Sequence, residues 1–89
     1  MRKNGLTSQI RRSIVSVPSN IAEGYGRNYR NDYIRFLQIS RGSLFECQTQ
    51  LEIAANLKYL TPELLKDVNA IALEVEKMLN SLITKLGVQ

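Results

Sequence analysis

Apolar residues recur along this chain at steps of three and four, in three separate runs. In the first, Leu6, Ile10, Ile14, Val17 and Ile21 make one stripe of a helix, and Arg12, Ser16, Ser19 and Glu23 lie opposite. Pro18 interrupts this run. Its ring removes one backbone hydrogen bond and presses on the carbonyl of Ile14, so a kink or loosening is expected there. Ser16, Ser19 and Asn20 are placed to satisfy groups freed by it. Gly24 or Gly26 offers the left-handed residue that commonly ends a helix.

A polar, glycine- and asparagine-rich connection spans residues 24–31. Asn31 is the expected N-cap of a second helix, with Asp32 complementing its dipole. This helix carries one stripe of Tyr33, Leu37, Leu44, Leu51 and Ala55, and a second of Phe36, Ser40, Cys47 and Ala54. So wide an apolar girth calls for cover from more than one side, and another subunit is the expected source. Gly42, which costs about 1 kcal/mol against alanine in mid-helix, predicts close approach of a neighbour or a slight bend. After the short connection Lys58-Tyr59-Leu60, the run Thr61-Pro62-Glu63 is a strong start signal: an N-cap threonine, proline at the first helical position and an acid in the first turn. The third run, Leu64, Val68, Ile71, Val75, Met78 and Leu82, reads as a coiled-coil-like seam, widened by Leu65, Ala72, Leu79, Ile83 and Leu86 and closed by Gly87.

The pattern therefore predicts an all-α protein: an antiparallel up-and-down bundle of three long helices over residues 6–24, 31–57 and 62–86, in one domain spanning 1–89. At 89 residues a single core is small, and self-association is a natural way to complete it.

Charge adds an asymmetry. The net charge is +4, but residues 1–45 hold eight basic side chains against two acids, while residues 46–89 hold four lysines against six acids. Every arginine falls in the first half. Arginine is suited to bidentate phosphate contact and to stacking, so the nucleic-acid candidates are Arg11, Arg12, Arg27, Arg30, Arg35 and Arg41, with Tyr25 and Tyr29 interleaved near the glycine turn. The alternative reading of the same residues is a solvated basic face with local ion pairs, the tyrosines packing over the bundle end.

The chain holds no histidine and a single cysteine, Cys47. That removes the commonest general base, the usual partner of a serine nucleophile and any structural zinc set. Gly24-Tyr25-Gly26 lacks the spacing, lysine and preceding strand of a phosphate loop. The expectation is a protein that is not an enzyme, with no metal and no cofactor. One cysteine suits a reducing compartment, and no run approaches the roughly 18 apolar residues of a membrane span, so a cytoplasmic location is expected.

Several stretches carry a family resemblance: Gly5-Leu6-Thr7-Ser8-Gln9-Ile10-Arg11-Arg12, Pro18-Ser19-Asn20-Ile21-Ala22-Glu23-Gly24 with the preceding Ser16-Val17, then Tyr33-Ile34-Arg35-Phe36-Leu37, Gly42-Ser43-Leu44 and Thr49-Gln50-Leu51-Glu52. Over nearly its whole length the chain resembles the four-helix-bundle proteins of the 23S ribosomal RNA intervening-sequence family. The resemblance implies a cytoplasmic, non-enzymatic bundle that assembles into a ring-like homopentamer. Related accessory proteins of diversity-generating retroelements bind nucleic acid and a reverse transcriptase. Members usually carry a further helix ahead of the segment matching Gly5-Leu6-Thr7-Ser8, where four residues stand here. Either the chain is shortened or a neighbouring subunit supplies the cover, with part of the apolar surface left exposed. The function expected is binding of structured RNA or DNA through the arginine-rich surface, with a protein-interaction scaffold as the competing reading.

Overall fold

The structure, a computed structural model, describes residues 3–87, with side chains from Gly5 onward. It consists of three helices, α1 (Lys3–Tyr25), α2 (Arg30–Asn56) and α3 (Pro62–Gly87), and no strand among the described residues. The all-α bundle expected from the periodicity is the fold. Residues 1–2 and 88–89 lie outside the described residues. α1 starts at Lys3, earlier than the expected start at Leu6, so Gly5 lies inside the helix just before the buried Leu6.

The helix ends differ in chemistry. Thr61 caps α3 as expected: its Oγ1 accepts from the Leu64 N–H at 3.2 Å, and its carbonyl accepts from Leu65 at 3.0 Å. At α2 the expected Asn31 cap is not used. Tyr29 takes the N-cap position in extended backbone, with no side-chain cap, and its carbonyl accepts from the Tyr33 N–H at 3.1 Å. No described glycine has positive φ, so α1 does not end on a left-handed glycine. It ends by tightening, with Arg27 N–H donating to the Gly24 carbonyl at 3.1 Å. The one left-handed residue is Lys58, at φ 66°. It closes α2 in a Schellman turn: Tyr59 N–H donates to the Ala54 carbonyl at 2.9 Å and Lys58 N–H to the Ala55 carbonyl at 3.0 Å. Gly87 still lies within α3.

α2 is the central element. Two of its rows are covered within the chain, one by α1 and one by α3, while Ile39 and Phe45 stay 41% and 43% exposed. The Ser40, Cys47, Gln50 and Ala54 row is buried under α1, as the bonds from Ser40, Ser43 and Gln50 to α1 show. The Leu37 and Leu44 row is buried with Ala72 and Leu79 of α3 and Val17 of α1, and Arg41 on the same side reaches Asn80 of α3. These rows are one residue out of step. One residue is about 100° of helix rotation, whereas a closed triangle of helices needs about 60°. α1 and α3 are thus splayed around α2, and among the described residues no backbone contact joins them. The Cα atoms fill a flattened slab of 46 × 22 × 13 Å.

The splay overturns three details of the pattern. On α1 the buried positions are Leu6, Ser13, Val17 and Gly24, while Ile14 is exposed and Ser16 faces α2 instead of solvent. On α3 the contact row is Ala72 and Leu79, supported by Val75, Leu82, Ile83 and Leu86. Leu64, Ile71 and Met78 of the expected seam face outward, the last two at 62% and 69% exposure. Gly42 makes no close approach, since a Cβ there would meet nothing within 4 Å. The close approach is at Gly24, where a Cβ would fall 2.7 Å from the Phe36 Cβ. Small and hydroxyl-bearing residues let α1 sit tightly on α2, so that face is buried in preference to the isoleucine face.

Candidate nucleic-acid interface

The Pro18–Gly24 run builds the hairpin end on which the candidate residues stand. α1 continues through Pro18 without interruption. Asn20 Nδ2 donates at 2.8 Å to both the Ser16 carbonyl and Ser16 Oγ, and Ser40 Oγ, fully buried, donates to the Val17 carbonyl at 2.8 Å. These contacts fall on carbonyls just before the proline rather than on that of Ile14, which the ring leaves without its donor. Ser19 is exposed and makes none of them. Ile21 packs against the core, Ala22 accepts from the Gly26 N–H at 3.1 Å, and Gly24 gives α2 its close approach.

Beyond Gly24 the structure brings five of the eight candidates to one end of the molecule. Tyr25, Arg27, Tyr29 and Arg30 flank the α1–α2 turn, and Arg35 lies just over one helical turn along α2. The guanidinium of Arg27 rests 5.0 Å from the centre of the Phe36 ring, and that of Arg35 rests 4.7 Å from it. Such cation–π contacts are worth about 0.5–1 kcal/mol at exposed sites and hold the charged heads in place. Arg27 Nη2 also pairs with Glu23 Oε1 at 2.8 Å, one turn back on α1. An exposed pair of this kind contributes little. Tyr25 meets Tyr33 nearly perpendicularly, ring centres 6.0 Å apart. Tyr25 and Tyr29 are 74% and 73% exposed, so neither packs over the bundle end.

The remaining three candidates lie apart. Arg11 and Arg12 are exposed on α1, about 20 Å from the turn at 1.5 Å per residue. Arg12 borders an open groove of about 760 Å³ between α1 and α2. The polar groups of that groove largely satisfy one another: Ser13 Oγ donates to Gln50 Oε1 at 2.6 Å, Gln50 Nε2 donates to Glu46 Oε1 at 3.2 Å, and the Ser16 and Ser43 hydroxyls share a bond at 2.7 Å. It is a packing seam. Arg41 turns to the other side of α2, where its Nη1 donates to Asn80 Oδ1 at 2.6 Å. That bond makes Arg41 a strut between helices and removes it from the basic surface.

Phe36 lies on an apolar stripe of the sequence pattern, which does not mark it as the ring that gathers two arginines. The neighbouring Arg35-Phe36 pair hinted at one contact, and nothing in the sequence pointed to Arg27. Among the described residues no cluster of three or more histidine, cysteine or acidic side chains is placed to hold a metal ion. Among the same residues no helix is long and apolar enough to cross a membrane.

The profile of the family described as 23S rRNA-intervening sequence protein matches residues 1–81, so the chain belongs to that family. Among solved structures it is similar to a protein of unknown function from the S23 ribosomal protein family of Bacteroides thetaiotaomicron VPI-5482. The two are 32% identical, with 88% of this chain and 72% of the other covered and a TM-score of 0.84. No curated protein matches the chain.

Proposed function

From membership in the 23S rRNA-intervening sequence protein family, we propose that this chain binds structured RNA or DNA through its arginine surface and performs no catalysis. It works in the cytoplasm as an assembly of several copies, a homopentamer by analogy with the family. The observation that carries the reading is charge left uncompensated. Among the described residues the single ion pair is Arg27–Glu23, so Arg11, Arg12, Arg30 and Arg35 hold positive charge with no carboxylate against it. Phosphates are the natural counter-charge for unpaired guanidiniums, and copies in an assembly would multiply the patch.

Fluorescence anisotropy of a labelled RNA hairpin across a salt series tests this. Affinity should fall linearly with log salt, with a slope of roughly 0.7–0.9 per phosphate contacted. Replacing both residues, Arg11→Ala with Arg12→Ala, should weaken binding and shrink the slope by about one per arginine, with an unchanged circular dichroism spectrum. Binding unaffected by that change would remove the α1 arginines from the interface, and no binding at low salt would overturn the reading.

A second reading, a protein-interaction scaffold, draws on the outward row Leu64, Ile71 and Met78 of α3. If copies join through this row, Ile71→Glu should reduce the mass seen by light scattering after gel filtration. An unchanged mass would exclude the row from self-association.

A further inference from the structure

The net charge near the α1–α2 turn is only slightly positive: the three arginines Arg27, Arg30 and Arg35 share it with the two acids Glu23 and Asp32, of which Glu23 pairs with Arg27. Phosphate attraction alone is therefore weak here, weaker than along the α1 face that carries Arg11 and Arg12. The turn instead offers two large aromatic rings in water. Tyr25 and Tyr29 are 74% and 73% exposed, the two most exposed of the large hydrophobic side chains among the described residues. The ring of Tyr25 is held by its perpendicular contact with Tyr33, so its orientation is set before anything binds. Arg35 is likewise parked on Phe36, and Arg30 has no ion-pair partner. A duplex presents phosphates and groove edges and gains little from such rings. An unstacked base presents a π-face to them.

We propose that the α1–α2 turn is a stacking platform for unpaired nucleotides of RNA or DNA, with Tyr25 and Tyr29 taking bases and Arg30 and Arg35 the adjoining phosphates. The proposal rests on the nucleic-acid reading above and narrows it to strand form. Each base stacked on a tyrosine contributes roughly tenfold in affinity, without sequence preference and with little dependence on salt.

The test compares labelled probes by anisotropy: a uridine 20-mer, a thymidine 20-mer, a mixed-sequence RNA duplex and the uridine 20-mer's abasic counterpart. The single strands should bind at least tenfold more tightly than the duplex and the abasic strand. Equal affinity for the two single strands marks the base face as the shared determinant, and a preference for the uridine strand adds contact with the 2′-hydroxyl. In the double variant carrying Tyr25→Ala and Tyr29→Ala, single-strand affinity should drop tenfold or more while the salt slope and duplex affinity stay the same. The variant with Tyr25→Phe and Tyr29→Phe keeps both rings and should restore binding, which separates stacking from any loss of fold. If duplex and single strand bind equally and the alanine variant behaves as the parent, the stacking platform is wrong and the phosphate reading survives. If no probe binds at low salt, both fall.

Discussion

Single residues fix how closely the helices meet and where the backbone is strained. Gly24→Ala would drive a methyl to within 2.7 Å of the Phe36 Cβ and 3.3 Å of the Tyr33 carbonyl. Overpacking of this kind costs about 1–3 kcal/mol, which for a chain of this size lowers the melting temperature by roughly 4–8 °C per kcal/mol. A calorimetric scan should show the loss, and Gly42→Ala, with open space around it, should instead raise the midpoint. Lys58 holds a left-handed backbone that glycine adopts without strain. Lys58→Gly should therefore stabilise the chain by about 1 kcal/mol in urea unfolding, with the slope of the transition unchanged. Cys47 is buried, and burial pushes its thiol pKa up from the usual 9.0; a hydrogen bond with Ser13 pulls it back in part, and the charge of Glu46 adds to the rise. The folded pKa then exceeds the unfolded one, so the unfolded chain gives up its proton first as the medium becomes alkaline. The neutral thiol's contribution to stability is complete below about pH 9 and is lost as the pH climbs through the folded pKa. Urea titrations at increasing alkaline pH should show that decline, and Cys47→Ala should flatten it. At neutral pH a thiol reagent should label the native chain slowly and the denatured chain at once.

At the level of the helices, periodicity and end chemistry carry different amounts of information. Thr61-Pro62-Glu63 announced the start of α3 because cap, proline and acid each act within one turn, with no need of tertiary contacts. The start of α2 was set instead by the extended backbone of Tyr29, which no propensity scale singles out, and so the cap fell elsewhere than at Asn31. For α1 the stripe of leucine, isoleucine and valine was plain, yet the helix turned partly away from it. What decided the matter was Ser13, Ser16 and the Val17 carbonyl, whose partners Gln50, Ser43 and Ser40 are 23–37 residues distant in sequence. Polar side chains at helical spacing read as a solvated face until their partners are known. The same limit applied at the interface. The tyrosines and arginines of the turn were visible as a local cluster, Arg41 was not visibly a strut, and Phe36 gave no sign of gathering two guanidiniums.

Across the whole molecule, the one-residue stagger of the two rows on α2 separates the fold into unequal attachments. α1 is fastened to α2 by three side-chain hydrogen bonds and the Gly24 approach, whereas among the described residues Arg41–Asn80 is the one side-chain hydrogen bond between α2 and α3. Because α1 and α3 share no close backbone contact and meet in the side-chain core around Val17, α3 is the least firmly held of the three helices. Native-state amide exchange should then resolve two levels of protection, with α3 amides opening at a free energy below that of α1 and α2. Asn80→Ala should lower protection in α3 while leaving the hairpin's amides as they were; uniform loss across all three helices would show a single cooperative unit. On this view the splayed fold behaves as a clasp with a hinged arm. Any molecule that bridged the splayed α1 and α3 would lengthen the time the arm stays shut, so its binding would be read out as slower exchange along the whole of α3.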